Sequence, residues 1–218
     1  MIKGDSLKRI MLGFLALSLL LLARERELIP LSKTLFMYVD RQGHEKRVDM
    51  RGKDFILVSV REEESDGRFY AVDRDGTVWL SGGISSGEEV DYTPSGVWKV
   101  LRKERYYTSK KYPEPDGSNN MDYSLFFTKW GHALHQGSID FTSHGCIHVD
   151  KSNIPSLFNW AWVGMPVLVT RHRYMHFARP DLRRIYKTEK RFKRKGNSRR
   201  NRYKNRENRT LQEKILEQ

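Results

Sequence analysis

The chain has 218 residues, room for one domain of ordinary size with appendages. Its formal charge is +13, yet from Arg171 to Gln218 there are 18 Lys and Arg against 5 Asp and Glu, which is the whole excess, and residues 1–170 carry 22 of each sign. A neutral body excludes a basic nucleic-acid-binding core, and a single cysteine excludes a disulfide scaffold.

Lys3, Lys8 and Arg9 precede an uncharged, mostly apolar run from Ile10 to Ala23. That pattern is an export signal over residues 1–23. It is shorter than the roughly 20 residues that cross a bilayer comfortably, so it suits both a cleaved signal and a short uncleaved anchor in the inner membrane. The expected location is the periplasm or cell envelope. Residues 24–54 read as a linker and a leading strand, LFMYVD (35–40).

A mainly β body follows over residues 55–172. FILVSV (55–60), RFYAVD (68–73), TVWLSG (77–82) and GVWKVLR (96–102) are rich in β-branched and aromatic residues and are separated by Gly, Asp and Ser clusters. Their spacing predicts a β-sandwich. Residues 110–121, with two prolines and Asp116-Gly117, read as a polar surface loop. Strand-like YSLFFTKW (123–130) and HALHQG (132–137) lead to SHGCIHVD (143–150). A short helix from Asn153 to Trp162 and a last strand, MPVLVTRH (165–172), complete the body. The tail, 173–218, is too charged and too poor in apolar residues to pack its own core; Asp181 to Lys195 could form an exposed helix within it.

The chemistry concentrates around Cys146. A thiol becomes a nucleophile when a neighbour takes its proton, and His132, His135, His144 and His148 all lie within fourteen residues of it. Gly145 permits a tight turn, which would let the amides of Gly145 and Cys146 face a developing oxyanion. On a regular strand His132 and His135 point to opposite faces, and His148, two residues beyond Cys146, shares its side. His144, Cys146 and His148 alternate as zinc ligands could, but without a Cys-x-x-Cys pair no metal set is assigned. No cofactor is assigned either. Ser143 reads equally as a turn residue and as a donor to the site, while Tyr123 and Trp130 are the aromatics expected in a substrate cleft.

HALHQG followed by SHGCIHV resembles the signature of the L,D-transpeptidase (YkuD-type) catalytic domain. TPSGVWKVLRK (93–103), SSG (85–87), MDYSLFFTKWGHALH (121–135) and VGMPVLV (163–169) extend the resemblance over about residues 55–170. It implies an L,D-transpeptidase-like sandwich with a short helix after the cysteine loop. It also implies a nucleophile at Cys146, a base at His135 oriented by the carbonyl of Gln136, and an oxyanion hole from the amides around Gly145 and Cys146. Ser143, His144 and Gln136 are the further pocket candidates, His144 reading equally as a structural hydrogen-bonding residue, and His148 reads as a structural residue or a substrate contact. The implied reaction opens the L,D-peptide bond of a peptidoglycan tetrapeptide stem, releases D-alanine and passes the acyl group to an amine. Carbapenems acylate the cysteine in this family. The sequence departs from the pattern at Gln136, where glycine is usual, at His148, where arginine or asparagine is usual, and in the short separation of His135 from Cys146. The competing reading is a catalytically degenerate module that binds the wall through its basic tail, whose partners outside the cytoplasm would be anionic lipid or wall polymers rather than nucleic acid.

Overall fold

The computed structural model describes residues 27–187, apart from 41, 62–64, 90–91 and 112–119. The apolar run from Ile10 to Ala23 and the tail beyond residue 187 lie outside the described residues. Two units divide the chain, Met1–Ala178 and Arg179–Gln218. The second is helical as far as it is described, to residue 187. Among the described residues no helix is long and apolar enough to cross a membrane.

The first unit is built on a nine-stranded sheet. In chain order its strands are β4 (Phe55–Ser59), β5 (Arg68–Val72), β6 (Val78–Ser85), β7 (Gly96–Lys99), β8 (Arg102–Glu104), β9 (Ser124–Phe126), β10 (Ala133–Gln136), β11 (Ile147–Val149) and β12 (Pro166–Thr170). Their spatial order is β7-β12-β4-β5-β6-β11-β10-β9-β8. Only two residues join β7 to β8, although these strands are the opposite ends of the sheet, so the sheet curls until its ends meet. Successive amides record the closure: Val100 N–H donates to Met165 O (2.8 Å) beside β12, and Leu101 N–H to Phe126 O (2.7 Å) on β9. GVWKVLR reads as one strand in sequence because its apolar pattern runs through this corner.

Alternation gives the curled sheet two faces. Ile56, Val58, Phe69, Ala71, Leu134, Ile147, Val149, Val167 and Val169 point inward with Ile154 and Leu157 of the short helix α1 (Ile154–Trp160). Pro155 stands in the first turn of α1, where a missing N–H costs nothing. β6 continues three residues past the expected end at Gly82; Asn153 and Phe69 press against the strand there, and a Cβ would stand 2.6 Å from the Asn153 amide nitrogen. One half of the opposite face is covered by a small sheet of β1 (Ile29–Pro30), β2 (Leu35–Val39) and β3 (Glu45–Asp49). Phe36 from β2 meets Phe55 edge-on at 5.9 Å, and buried Tyr174 bridges Phe36 and Tyr70. The segment read as a linker thus carries two further strands, β3 being too charged (EKRVD) to announce itself. The folded unit runs to Ala178 rather than residue 172, since Tyr174 and Ala178 are buried in it.

Candidate active site

The other half of that face, on β8 to β11, carries the sequence-selected residues. β10 and β11 are parallel with His135 opposite His148 and Leu134 opposite Ile147. Leu134 and Ile147 enter the core, so His135, His148 and Cys146 share the outer side. The imidazoles of His135 and His148 meet edge to face, with ring centroids 4.9 Å apart. Cys146, two residues before His148, is a diagonal neighbour of His135, a separation that a histidine side chain can reach across.

Hydrogen bonding distinguishes the three histidines. His135 is buried, and its Nδ1 lies 2.8 Å from the Gln136 carbonyl. A carbonyl only accepts, so Nδ1 carries the proton and Nε2 a lone pair. Burial, with a smaller push from neighbouring His148, lowers its pKa to about 4. His148 is pinned by two carbonyls, Nδ1 to Ser138 O at 2.9 Å and Phe141 O also against the ring. Burial lowers its pKa as well. His132 takes the opposite tautomer from His135. The Tyr92 carbonyl at its ring only accepts, so Nε2 carries the proton and Nδ1 accepts from Thr128 Oγ1 (2.8 Å), the hydroxyl that also receives the His132 amide (3.1 Å). Of the three, His135 has the least committed second nitrogen.

The thiol is half-buried and faces the Gly131 carbonyl, 3.9 Å from Sγ, and the Ala133 amide. Burial pushes its pKa upward against the pull of that amide and of Lys111, so the resting group is a thiol. Met121, Phe126, Ala133 and Tyr107 pack around it as an apolar patch.

Gly145 is at φ +114°, a conformation glycine alone adopts readily, and a Cβ there would lie 2.3 Å from the Tyr92 carbonyl and 3.0 Å from the His132 ring. Its amide is not free for an oxyanion as expected: it donates to Ser143 Oγ at 3.0 Å, and that hydroxyl donates to Cys146 O at 2.5 Å. Ser143 is therefore the clip of the turn, and the Cys146 amide is what remains of the expected pair of donors. His144 is exposed on the same loop. Thr93 donates to Gly145 O (3.1 Å) while accepting the Gly87 amide (2.9 Å). Thr93 and His132 thus buttress the loop; from sequence His132 is a candidate base and Thr93 has no individual role.

The remaining candidates stand apart from the thiol. Tyr123, at φ 57°, turns its ring to Phe158 (5.5 Å) and receives the Arg105 guanidinium over its face (3.4 Å). Trp130 is 64 % exposed and crosses Trp98 at 6.0 Å in a groove of about 410 Å³ shared with Val97, Leu101 and Phe127. Neither ring belongs to the patch around Sγ. Gln136 supplies its carbonyl to His135 and its amide to Asp122 O (2.9 Å). Gly137 follows it, and a Cβ there would stand 2.7 Å from the His148 ring, so a glycine at this position makes room for His148. Among the described residues no three His, Cys, Asp or Glu side chains converge on a point that could hold a metal.

Comparison with known proteins gives one family. The model of the L,D-transpeptidase catalytic domain (YkuD) matches residues 53–169. Among solved structures, an L,D-transpeptidase from Stackebrandtia nassauensis is similar at 24 % identity and TM-score 0.46, over 56 % of this chain and 57 % of its own. L,D-transpeptidase 1 of Mycobacterium tuberculosis is similar at 22 % and 0.45, over 64 % and 73 %. An Enterococcus faecium L,D-transpeptidase is similar at 20 % and 0.45, over 65 % and 68 %. The match thus spans little more than half of the Stackebrandtia chain. No curated protein matches.

Proposed function

Since the chain belongs to the L,D-transpeptidase catalytic-domain family, we propose that it acylates Cys146 with a peptidoglycan stem peptide and passes the acyl group to an amine, with His135 as the base. The observation that carries this is the tautomer of His135: with Nδ1–H held by Gln136 O at 2.8 Å, Nε2 is an acceptor on the face that Cys146 shares. A raised thiol pKa and a lowered imidazole pKa describe a neutral pair at rest.

Nε2 takes the proton from Sγ as sulfur attacks the carbonyl of the third stem residue. The Cys146 amide, at the head of β11, steadies the oxyanion. Collapse breaks the bond to D-alanine, which leaves with the proton returned by His135, and a thioester remains. An amine then attacks the thioester, His135 takes its proton, and the thiol is restored. The proposed setting is the cell envelope, reached through the N-terminal apolar run, with the basic tail drawn to anionic lipid or wall polymer.

Intact-protein mass after exposure to a carbapenem tests the reading. One adduct is expected on the wild type and none on Cys146→Ala, together with D-alanine release from tetrapeptide stems. Absence of both on the wild type, with sedimentation on wall sacculi unaffected by Cys146→Ala, would instead establish the degenerate wall-binding module.

A further inference from the structure

The curled sheet closes at one corner and gapes beside it. β7 is an end strand of the nine, and its pairing fixes which way its backbone points. Val100 N–H donates to Met165 O, so alternation in the antiparallel ladder directs the peptide groups of Trp98 and Gly96 to Val167 and Val169 of β12. The far side of β12 agrees: Val60 N–H donates to Thr170 O, which commits Leu168 and Thr170 to β4. The N–H and C=O of Val97 and Lys99 therefore face away from β12, and among the described residues no backbone group meets them there. Leu101 N–H reaches Phe126 O, but past that corner the seam between β7 and residues 127–130 opens into the groove of about 410 Å³. A second hollow, of about 500 Å³, continues between β7 and Tyr38 and Val48 of the small sheet. Val97 and Trp98 border both, so the edge lies along one trench, with the Val97, Lys99 and Leu101 side chains exposed beside it.

We propose that this trench binds an extended acidic peptide, which adds a strand to β7 and carries apolar side chains at alternate positions with carboxylates between them. The backbone edge selects a peptide: a saccharide could stack on Trp130 but would leave the alternating donors and acceptors of Val97 and Lys99 unmatched. A strand laid beside β7 sends every second side chain to the side of Trp98, whose ring stands 6.0 Å from Trp130 and 6.3 Å from Phe127. The intervening side chains fall on the side of Val97 and Lys99. Lys99 there, and Lys129 on the opposite wall with its ammonium 5.3 Å from the Trp130 ring centre, make no ion pair among the described residues. Two cations without a carboxylate favour an acidic strand, and they oppose a second copy of β7 pairing with this one edge to edge. The trench includes neither Cys146 nor His135, and its occupant is independent of the proposed reaction.

Amide NMR of the full-length chain tests this with two end-blocked heptapeptides, one alternating valine with glutamate and one alternating valine with lysine. The glutamate peptide is expected to slow hydrogen exchange at the Val97 and Lys99 amides and to bind about tenfold more tightly than the lysine peptide at low salt. Val97→Pro, which removes an outward donor and leaves the bonds to β12 in place, should abolish binding. Lys99→Glu combined with Lys129→Glu should reverse the preference, and it leaves the backbone untouched if the proline variant fails to fold. Equal binding of the two peptides, binding by neither, or protection at other amides in place of Val97 and Lys99 overturns the proposal. Protection of those two amides on concentrating the protein without peptide would give the edge to a second copy and overturn it as well.

Discussion

His135 is neutral at ordinary pH because burial penalises its charged form, and His148 beside it adds to the penalty. The sign of the consequence is fixed. Below about pH 6.5 the unfolded chain takes up a proton that folded His135 refuses until about pH 4. Its contribution to stability is therefore complete above pH 6.5 and lost as pH falls through that window, amounting to roughly 2–3 kcal/mol at pH 4.5. Urea midpoints at pH 7 and pH 4.5 should fall further apart for wild type than for His135→Gln; equal spacing would contradict a neutral buried imidazole. Carbapenem acylation of Cys146 should hold its rate down to about pH 5 and decline near pH 4. At this scale the sequence was legible where a local turn decides the outcome: Cys146, Gly145 and the shared side of His148 follow from four consecutive residues and strand alternation. Thr93 was not legible as a brace of the loop, since it meets Gly145 across 52 residues.

Among the elements, α1 is short and ends without a basic residue in its last turn, and its N-cap side chain makes no capping bond. β8 supplies the missing cation. Lys103 Nζ donates to the carbonyls of Phe158 (2.6 Å) and Ala161 (2.5 Å) and lies 4.4 Å from the centre of the Phe158 ring. These are the groups a helix C-terminus leaves unsatisfied. Lys103→Met should cost about 1–2 kcal/mol, seen as a lower urea midpoint with an unchanged slope, and an unshifted midpoint would refute the capping role. The neighbouring residue on the same strand, Arg102, faces the opposite side, over the Phe126 ring. Strand identity was legible from composition for β4, β5 and β12, which are buried on both faces and read as continuous apolar runs. The division of β7 from β8 was not, because it depends on where the curled sheet closes.

For the molecule as a whole, charge and fold are separately placed: the neutral residues 1–170 contain the sheet and the site, and the excess of +13 follows them. If the tail holds an anionic surface, full-length protein should sediment with phosphatidylglycerol vesicles at low salt. Release is expected at about 0.5 M salt, where the Debye length falls to a few ångströms. Replacing Arg191, Lys193, Arg194, Lys195, Arg199 and Arg200 by Gln should abolish sedimentation and leave Cys146 acylation unchanged. Retained sedimentation would assign the attraction elsewhere.

β12 lies between β4 and β7, pairing Val167 with Ile56, more than a hundred residues earlier, and Trp98. A chain made from its N-terminus therefore brings out Cys146 before the strand that completes the sheet. Such distant pairings form slowly. Until that strand arrives, the Val100 amide lacks its Met165 partner and the sheet that carries the thiol is unfinished.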